Sequence, residues 1–288
     1  MATWRLIDTL HTPRYPVIMG ILNATPDSFH AASRVGNDDL LAKAEAMLEQ
    51  GAGILDIGGI STRPGAEAIG EAEEIDRVVP AIRAVHARFP QALISVDTYR
   101  SAVAREAVAA GARMVNDIGA GLLDSTMLDT VAALHVPYIL MHMQGTPRTM
   151  QQAPKYPDVV NDVVHFLSTR MAAAHNTGIA DVIVDPGFGF GKTTAHNLAL
   201  FNGLTALCAL GAPVLVGISR KRMINEVLGT TAAEALNGTT VFNTLALQRG
   251  AAILRVHDVR EARQAVQLVE ALKKSESSEV HHPTPRTR

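Results

Sequence analysis

The 288-residue chain has a single cysteine, Cys208, which excludes an intrachain disulfide framework and fits a reducing compartment. Its side chain is expected to be a small packing group rather than a reactive thiol. Net charge is nearly absent as well, at −2, so there is no broad basic field to draw the protein onto nucleic acid or an anionic membrane. Any anion site has to be local. No apolar run approaches the roughly 18 residues of a membrane span. Residues 1–16, with Arg5, Asp8 and Arg14, lack the apolar stretch of a secretory signal. The expected compartment is the cytoplasm, and neither membrane nor nucleic acid is an expected partner. A glycine-rich dinucleotide turn is missing too: the first strand-like run leads into Asn23-Ala24-Thr25-Pro26.

What the chain does have is 47% hydrophobic residues in a recurring order. Short apolar, β-rich runs fall at 17–22, 54–57, 93–96, 114–115, 136–141, 182–184, 214–218 and 253–256. Between them lie amphipathic stretches such as 39–50, 73–87, 101–110, 159–175 and 259–273. This alternation is the pattern of βαβ units, and runs that are apolar throughout belong to strands buried on both faces. Eight such units in one chain of this length predict a single-domain α/β fold, a (β/α)8 TIM barrel over residues 17–274. Residues 1–16 are expected to be a lead-in segment. The polar, aperiodic residues 275–288 are expected to be a disordered tail, with His281 and His282 solvated.

Nearly every run ends in functional side chains: Asn23, Asp56, Asp97, Asn116 with Asp117, His142, Asp185, Ser219-Arg220-Lys221, and Arg255 with His257. In a TIM barrel these positions converge on the mouth formed by the C-terminal strand ends. Asp56 and Asp117 are read as structural braces, and the others as site candidates. Carboxylates and an amide suit a heterocycle with amidine-like donors and ring acceptors, as on the edge of a 2-amino-4-oxo pterin. Asp97, Asn116 and Asp185 would read that edge, Lys221 would meet a ring acceptor, and Arg255 would stack on the flat face. Arg63, Arg220, Lys221, Arg222, Arg255 and His257, with Asn23, would form an anion cradle for a diphosphate or a carboxylate, helped by a helix starting after Ser219. The run Gly187-Phe188-Gly189-Phe190-Gly191-Lys192-Thr193 is not a P-loop, because Pro186 stands where the first glycine is needed. Its glycines are expected to let the loop pass close to a ligand on which Phe190 packs. His142, between Met141 and Met143, is read as a satisfied core residue, and no protein-only metal site is expected.

The stretches Met19-Gly20-Ile21-Leu22-Asn23-Ala24-Thr25-Pro26-Asp27-Ser28-Phe29, Asp56-Ile57-Gly58-Gly59-Ile60-Ser61-Thr62-Arg63-Pro64-Gly65-Ala66, Ser95-Val96-Asp97-Thr98, Asn116-Asp117-Ile118, Met141-His142-Met143-Gln144-Gly145, Asp185-Pro186-Gly187-Phe188-Gly189-Phe190-Gly191-Lys192, Gly217-Ile218-Ser219-Arg220-Lys221 and Arg255-Val256-His257-Asp258 closely resemble the dihydropteroate synthase family, over nearly the whole barrel. The resemblance implies that the amine of 4-aminobenzoate displaces diphosphate from 6-hydroxymethyl-7,8-dihydropterin diphosphate. It implies a dissociative step in which Asn23, Arg63, Arg255 and His257, with a substrate-borne Mg2+ on Asn23, stabilise the leaving charge, and it adds Lys221 to the catalytic set. Pterin contacts would come from Asp97, Asn116, Ile118, Met141, Asp185, Phe190, Gly217, Lys221 and Arg255. Aminobenzoate contacts would come from Thr62, Arg63, Pro64, Phe190, Ser219, Lys221 and Arg222. A homodimer through outer-wall helices is implied as well.

Two loops depart from the family pattern. His30-Ala31-Ala32-Ser33 stands where Ser-Asp-Gly-Gly is usual, and Ile60 stands where Glu is common. Both fall beside the pocket in which sulfonamides compete with 4-aminobenzoate in the family, which leads to the expectation of reduced sulfonamide sensitivity. Two other readings share part of the pattern. A methyltetrahydrofolate:corrinoid methyltransferase type of barrel would need neither Ser61-Thr62-Arg63-Pro64 nor Ser219-Arg220-Lys221. A non-catalytic pterin-binding barrel would have no use for the anion cradle.

Overall fold

A computed structural model describes residues 4–6, 9–13, 16–24, 34–60, 69–147 and 149–279. Two short strands, β1 (Trp4–Leu6) and β2 (Thr9–His11), form an antiparallel hairpin. The main body follows in the order β3 (Val17–Asn23), α1 (Arg34–Glu49), β4 (Ile54–Gly58), α2 (Glu71–Arg88), β5 (Leu93–Asp97), α3 (Ser101–Ala110), β6 (Met114–Asp117), α4 (Met127–Leu134), β7 (Tyr138–Met141), α5 (Val159–Asn176), β8 (Val182–Asp185), α6 (Thr194–Asn202), α7 (Leu204–Cys208), β9 (Leu215–Val216), α8 (Arg222–Leu228), α9 (Leu236–Gln248), β10 (Ile253–Val256) and α10 (Val259–Glu279).

The strands β3 to β10 form one parallel sheet in the order β8-β7-β6-β5-β4-β3-β10-β9. A parallel bridge between Val184 and Val214 joins its two ends and closes the ring. The eight apolar runs are the eight strands of this (β/α)8 barrel. The last helix passes the expected boundary at 274 and continues to Glu279. Among the described residues no helix is long and apolar enough to cross a membrane.

Two apolar layers hold the barrel. The larger lies between sheet and helices and includes Leu55, Ile57, Ile82, Val96, Val115, Leu140, Val184 and Leu254, all fully buried. The smaller fills the lower lumen with Met19, Ile54, Met114, Ile139, Ile183, Leu215 and Ile253. Trp4, from the hairpin, is only 2% exposed and plugs this layer from below. The lead-in segment is therefore a stopper, fastened also by the backbone N–H of Arg5, which donates to Asp181 Oδ2 at 2.5 Å.

Side chains on one face of a strand recur every second residue. Two positions beyond the lower apolar layer, the same inward columns carry Asp56, Ser95, Asn116, Met141, Asp185, Gly217 and Arg255. The lumen thus changes from apolar to polar within one pleat repeat, and that change defines where a ligand can bind.

Candidate functional site at the barrel mouth

Arg255, near the end of β10, organises the upper lumen. Its Nε donates to Asp56 Oδ2 at 2.7 Å and its Nη2 to Asp97 Oδ2 at 2.5 Å. Asn116 Nδ2 donates to the same Asp56 oxygen at 3.0 Å. Asp56 therefore braces Arg255 and Asn116 within the mouth. Asp56 Oδ1 is buried without a hydrogen-bond partner. Asp117 does act as a brace: it accepts from the N–H groups of Gly119 and Gly121 and from the Tyr138 hydroxyl.

Burial pushes the Asp97 carboxyl up to about 7, against the pull of Arg255. Burial also raises Asp185, opposed by Lys221, by the Gly187 N–H and by Arg255. Lys221 is pushed down to about 8 by burial, although Asp185 favours its charge. Burial works against the charge of Arg255 too, but Asp56 and Asp97 outweigh it and hold the guanidinium above its ordinary range. Gly217 leaves room between these groups, since a Cβ placed there would lie 3.8 Å from Arg255 Cβ and 3.9 Å from Asp185 Oδ2. Ile118 and Met141 are buried beside the polar groups.

The loop after β8 forms one wall. Gly187 donates its N–H to Asp185 Oδ1 at 2.7 Å. Lys221 Nζ donates to the Phe188 carbonyl and sits 4.7 Å from the Phe190 ring centroid, a cation–π distance. Gly187 has φ +68°, and a Cβ there would fall 1.9 Å from the His142 carbonyl oxygen, so only glycine fits. His142 is buried, with its ring edge-on to Phe166 at 4.8 Å, in keeping with its reading as a core residue. Burial and the neighbouring Lys192 lower its pKa to about 3, so the ring is neutral. The partner that satisfies it, Lys192, was missed in the sequence because it was weighed only as a P-loop lysine.

Near the start of α8, Ser219 Oγ accepts the N–H of His257 at 3.2 Å and lies 3.1 Å from its Nδ1. Arg220 does not join the anion cradle. Its guanidinium makes a two-pronged pair with Asp258, at 2.9 and 2.8 Å, and also donates to the carbonyls of Ala232 and Ala233. With φ +55° it is a strut that ties the β9 loop to the end of β10. Arg222 is exposed and pairs at 2.5 Å with Glu226 one turn along α8. Asn23 is exposed at the top of β3, where its backbone pairs with Gly58 next to Asp97. Thr62, Arg63 and Pro64, and the altered positions 30–33, lie outside the described residues.

Among the described residues no group of three or more His, Cys, Asp or Glu side chains is placed to hold a metal ion. A cavity of 210 Å³ opens at the opposite end of the barrel, beside Trp4, His11 and Arg263. The mouth is the better site candidate, because the paired and perturbed titratable groups gather there.

The family described as pterin binding enzyme matches residues 19–257. The chain is 47% identical over 247 residues to the dihydropteroate synthase of Haemophilus influenzae, covering 85% of this chain and 89% of that one. The Yersinia pestis dihydropteroate synthase, solved with a sulfonamide drug complex, superposes with a TM-score of 0.88 at 40% identity, over 95% of this chain and all (100%) of that one. The Xanthomonas albilineans enzyme, solved with 7,8-dihydropteroate, gives a TM-score of 0.82 at 42% identity, over 93% of this chain and 98% of that one.

Proposed function

Because the chain belongs to the pterin-binding enzyme family, we propose that it condenses 6-hydroxymethyl-7,8-dihydropterin diphosphate with 4-aminobenzoate, giving 7,8-dihydropteroate and diphosphate. The observation that carries this reading is the set Asp97, Asn116, Asp185, Lys221 and Arg255 at the ends of five strands or the loops after them, held together by the bonds of Arg255 to Asp56 and Asp97. The carboxylate of Asp185 and the amide of Asn116 read the donors and acceptors of the pterin edge, while Asp97 accepts in its ionised form. Arg255 keeps its edge on the two aspartates, which leaves its face to lie against the ring.

The C–O bond to diphosphate breaks, a C–N bond forms to the aminobenzoate amine, and that nitrogen loses a proton. Charge building on the departing diphosphate meets Arg255, His257, Asn23 and Arg63, which is electrostatic stabilisation by preorganised groups. The aminobenzoate lies by Phe190, Lys221 and Ser219, with Thr62, Pro64 and Arg222 at its outer edge. The single exposed amide of Asn23 fits a magnesium ion that takes most of its ligands from diphosphate and water. When bound, such an ion neutralises part of the leaving-group charge. The lone Cys208 supports a reducing, cytoplasmic setting. Exposed Val241 on α9, with Leu268 and Leu272 on α10, supports a homodimer through this outer wall, which sedimentation would test.

The reading is tested by assaying diphosphate released from the pterin diphosphate with and without 4-aminobenzoate. Release that depends on the amine is the expected result, and no release in either case overturns it.

A further inference from the structure

Lys192 is buried, 4% exposed, at the junction of the loop after β8 and the capping residue Thr193 of α6. Its Nζ lies 2.8 Å from His142 Nδ1, 2.9 Å from the Gly187 carbonyl and 3.0 Å from the Phe190 carbonyl, with the His142 carbonyl further off at 3.3 Å. Burial pushes the Lys192 amine well below its ordinary range, although Asp185, beyond hydrogen-bond reach, favours its charge; in either form its N–H groups are shared among these acceptors. A neutral imidazole can accept at Nδ1, and the depressed pKa of His142 fits that role. Among the described residues, no carboxylate hydrogen-bonds or ion-pairs with Lys192 within 4 Å. A buried amine nitrogen set among carbonyls and an imidazole is costly compared with an apolar side chain of similar length. Filling space does not explain it, whereas satisfying inward-facing carbonyls does.

Those carbonyls belong to a loop whose other side faces the site. Gly187 gives its N–H to Asp185, the Phe188 carbonyl receives Lys221, and the Phe190 ring lies under the Lys221 ammonium. One lysine therefore ties the start of the loop, its end and the end of β7 into one unit. The rest of the clamp is consistent with this. Asn197 Oδ1 takes the Gly189 N–H at 2.8 Å, and the Tyr156 hydroxyl donates to the Gly191 carbonyl at 2.7 Å.

We propose that Lys192 is a positioning residue for the reaction: by gripping His142 and the carbonyls of Gly187 and Phe190 it sets the loop conformation in which Phe190 and Lys221 receive 4-aminobenzoate. This rests on the functional reading above for its substrate, but the loop claim can be read without turnover. In Lys192→Met the KM for 4-aminobenzoate is expected to rise at least about tenfold while calorimetric affinity for the pterin changes much less, since loss of alignment at one substrate is costly. Hydrogen exchange over residues 186–191 is expected to quicken. Lys192→Gln keeps two donors and is expected to fall between the two proteins in both readouts, and it stands in if Lys192→Met does not fold. A merely structural role would lower the melting temperature and leave KM and loop exchange at wild-type values, and that result overturns the proposal. A wild type that releases no diphosphate removes the functional reading, while exchange over 186–191 still decides whether Lys192 fixes the loop.

Discussion

The two ends of the barrel lumen are built from the same strands, two residues apart, yet they hold opposite chemistry. Ile54, Met114, Ile183 and Ile253 close the bottom as an apolar layer. Asp56, Asn116, Asp185 and Arg255, one pleat repeat further on, make the polar mouth. The lower layer needs only volume and apolarity, so it stabilises without specifying a ligand. The upper layer buries carboxylates against a guanidinium and gives away stability in exchange for recognition. The comparison predicts that the two ends can be damaged separately.

The largest effect is expected at the bottom. Trp4→Ala removes the plug and leaves a cavity, costing about 3–5 kcal/mol. That corresponds to a melting temperature lower by about 10 °C in a chain of this size. Below the melt, kcat is expected to stay within about twofold of wild type, because Trp4 packs with the lower apolar layer, one pleat repeat below the mouth groups. A stable Trp4→Ala protein with poor turnover would mean that the two ends are coupled.

Next comes damage at the mouth alone. In Asp185→Asn the side-chain oxygen can keep the Gly187 N–H, which turns the new amide donor towards the ligand. A donor facing the donors of the pterin is expected to weaken binding about a hundredfold, or about 2.8 kcal/mol, with little change in melting temperature. Calorimetry with a pterin ligand reads the first and a thermal melt the second. An unchanged affinity would place the pterin elsewhere.

A smaller effect sets stability and recognition against each other at one residue. Asp97 is raised from 3.8 to about 7 in the folded protein, first by burial. Because the folded value is raised, its contribution to stability is present in full below 3.8 and is lost as pH rises through about 7. Recognition has the opposite sign, since only the carboxylate accepts two pterin N–H bonds. Between about pH 8 and about pH 6, pterin affinity is expected to fall by at most about tenfold per unit while this residue does not lower the melting temperature. Asp97→Asn should flatten the affinity profile. A profile that is already flat in the wild type would show that Asp97 binds in its neutral form.

How much of this was legible in the sequence depends on range. All eight barrel strands were visible, because strands buried on both faces read as apolar runs without reference to their neighbours. The hairpin was not visible: each of its strands has three residues, and Trp4 is buried by the barrel floor rather than by any local pattern. Helix α9 escaped because its buried face carries Gly238, Thr239 and Asn243 beside Ala246 and Leu247, so no clean apolar stripe shows in the sequence. What Asp56 braces was only partly legible: its position two residues after Ile54 puts it in an inward column, but its partners Arg255 and Asn116 are far off in sequence. Arg220 looked like a ligand for an anion because the sequence gives no sign that Asp258, on the next strand's loop, comes within 2.8 Å of it. For Lys192 the available clue was three alternating glycines, whose turned carbonyls call for a nearby donor.

The smallest effect concerns the rim rather than either end of the lumen. Ile60 is half-buried beside Gly59, whose carbonyl accepts from Arg77 Nη1 at 3.3 Å, so the chain entering the second mouth loop is fixed from α2. A branched apolar side chain next to that anchor is expected to change the packing of the rim. Sulfonamides, which mimic 4-aminobenzoate and extend beyond it, would meet that rim where the shorter substrate does not. Each tenfold loss of drug affinity needs only about 1.4 kcal/mol of such discrimination. The expected result is weaker sulfamethoxazole inhibition of the wild type than of a variant carrying Ile60→Glu with His30→Ser, Ala31→Asp, Ala32→Gly and Ser33→Gly, at similar 4-aminobenzoate KM. If Ile60→Glu alone restores sensitivity, the described anchor carries the effect. If only the combined variant does, the first loop carries it. Equal inhibition of all three proteins would show that the substitutions at the rim leave drug selection where the rest of the family has it.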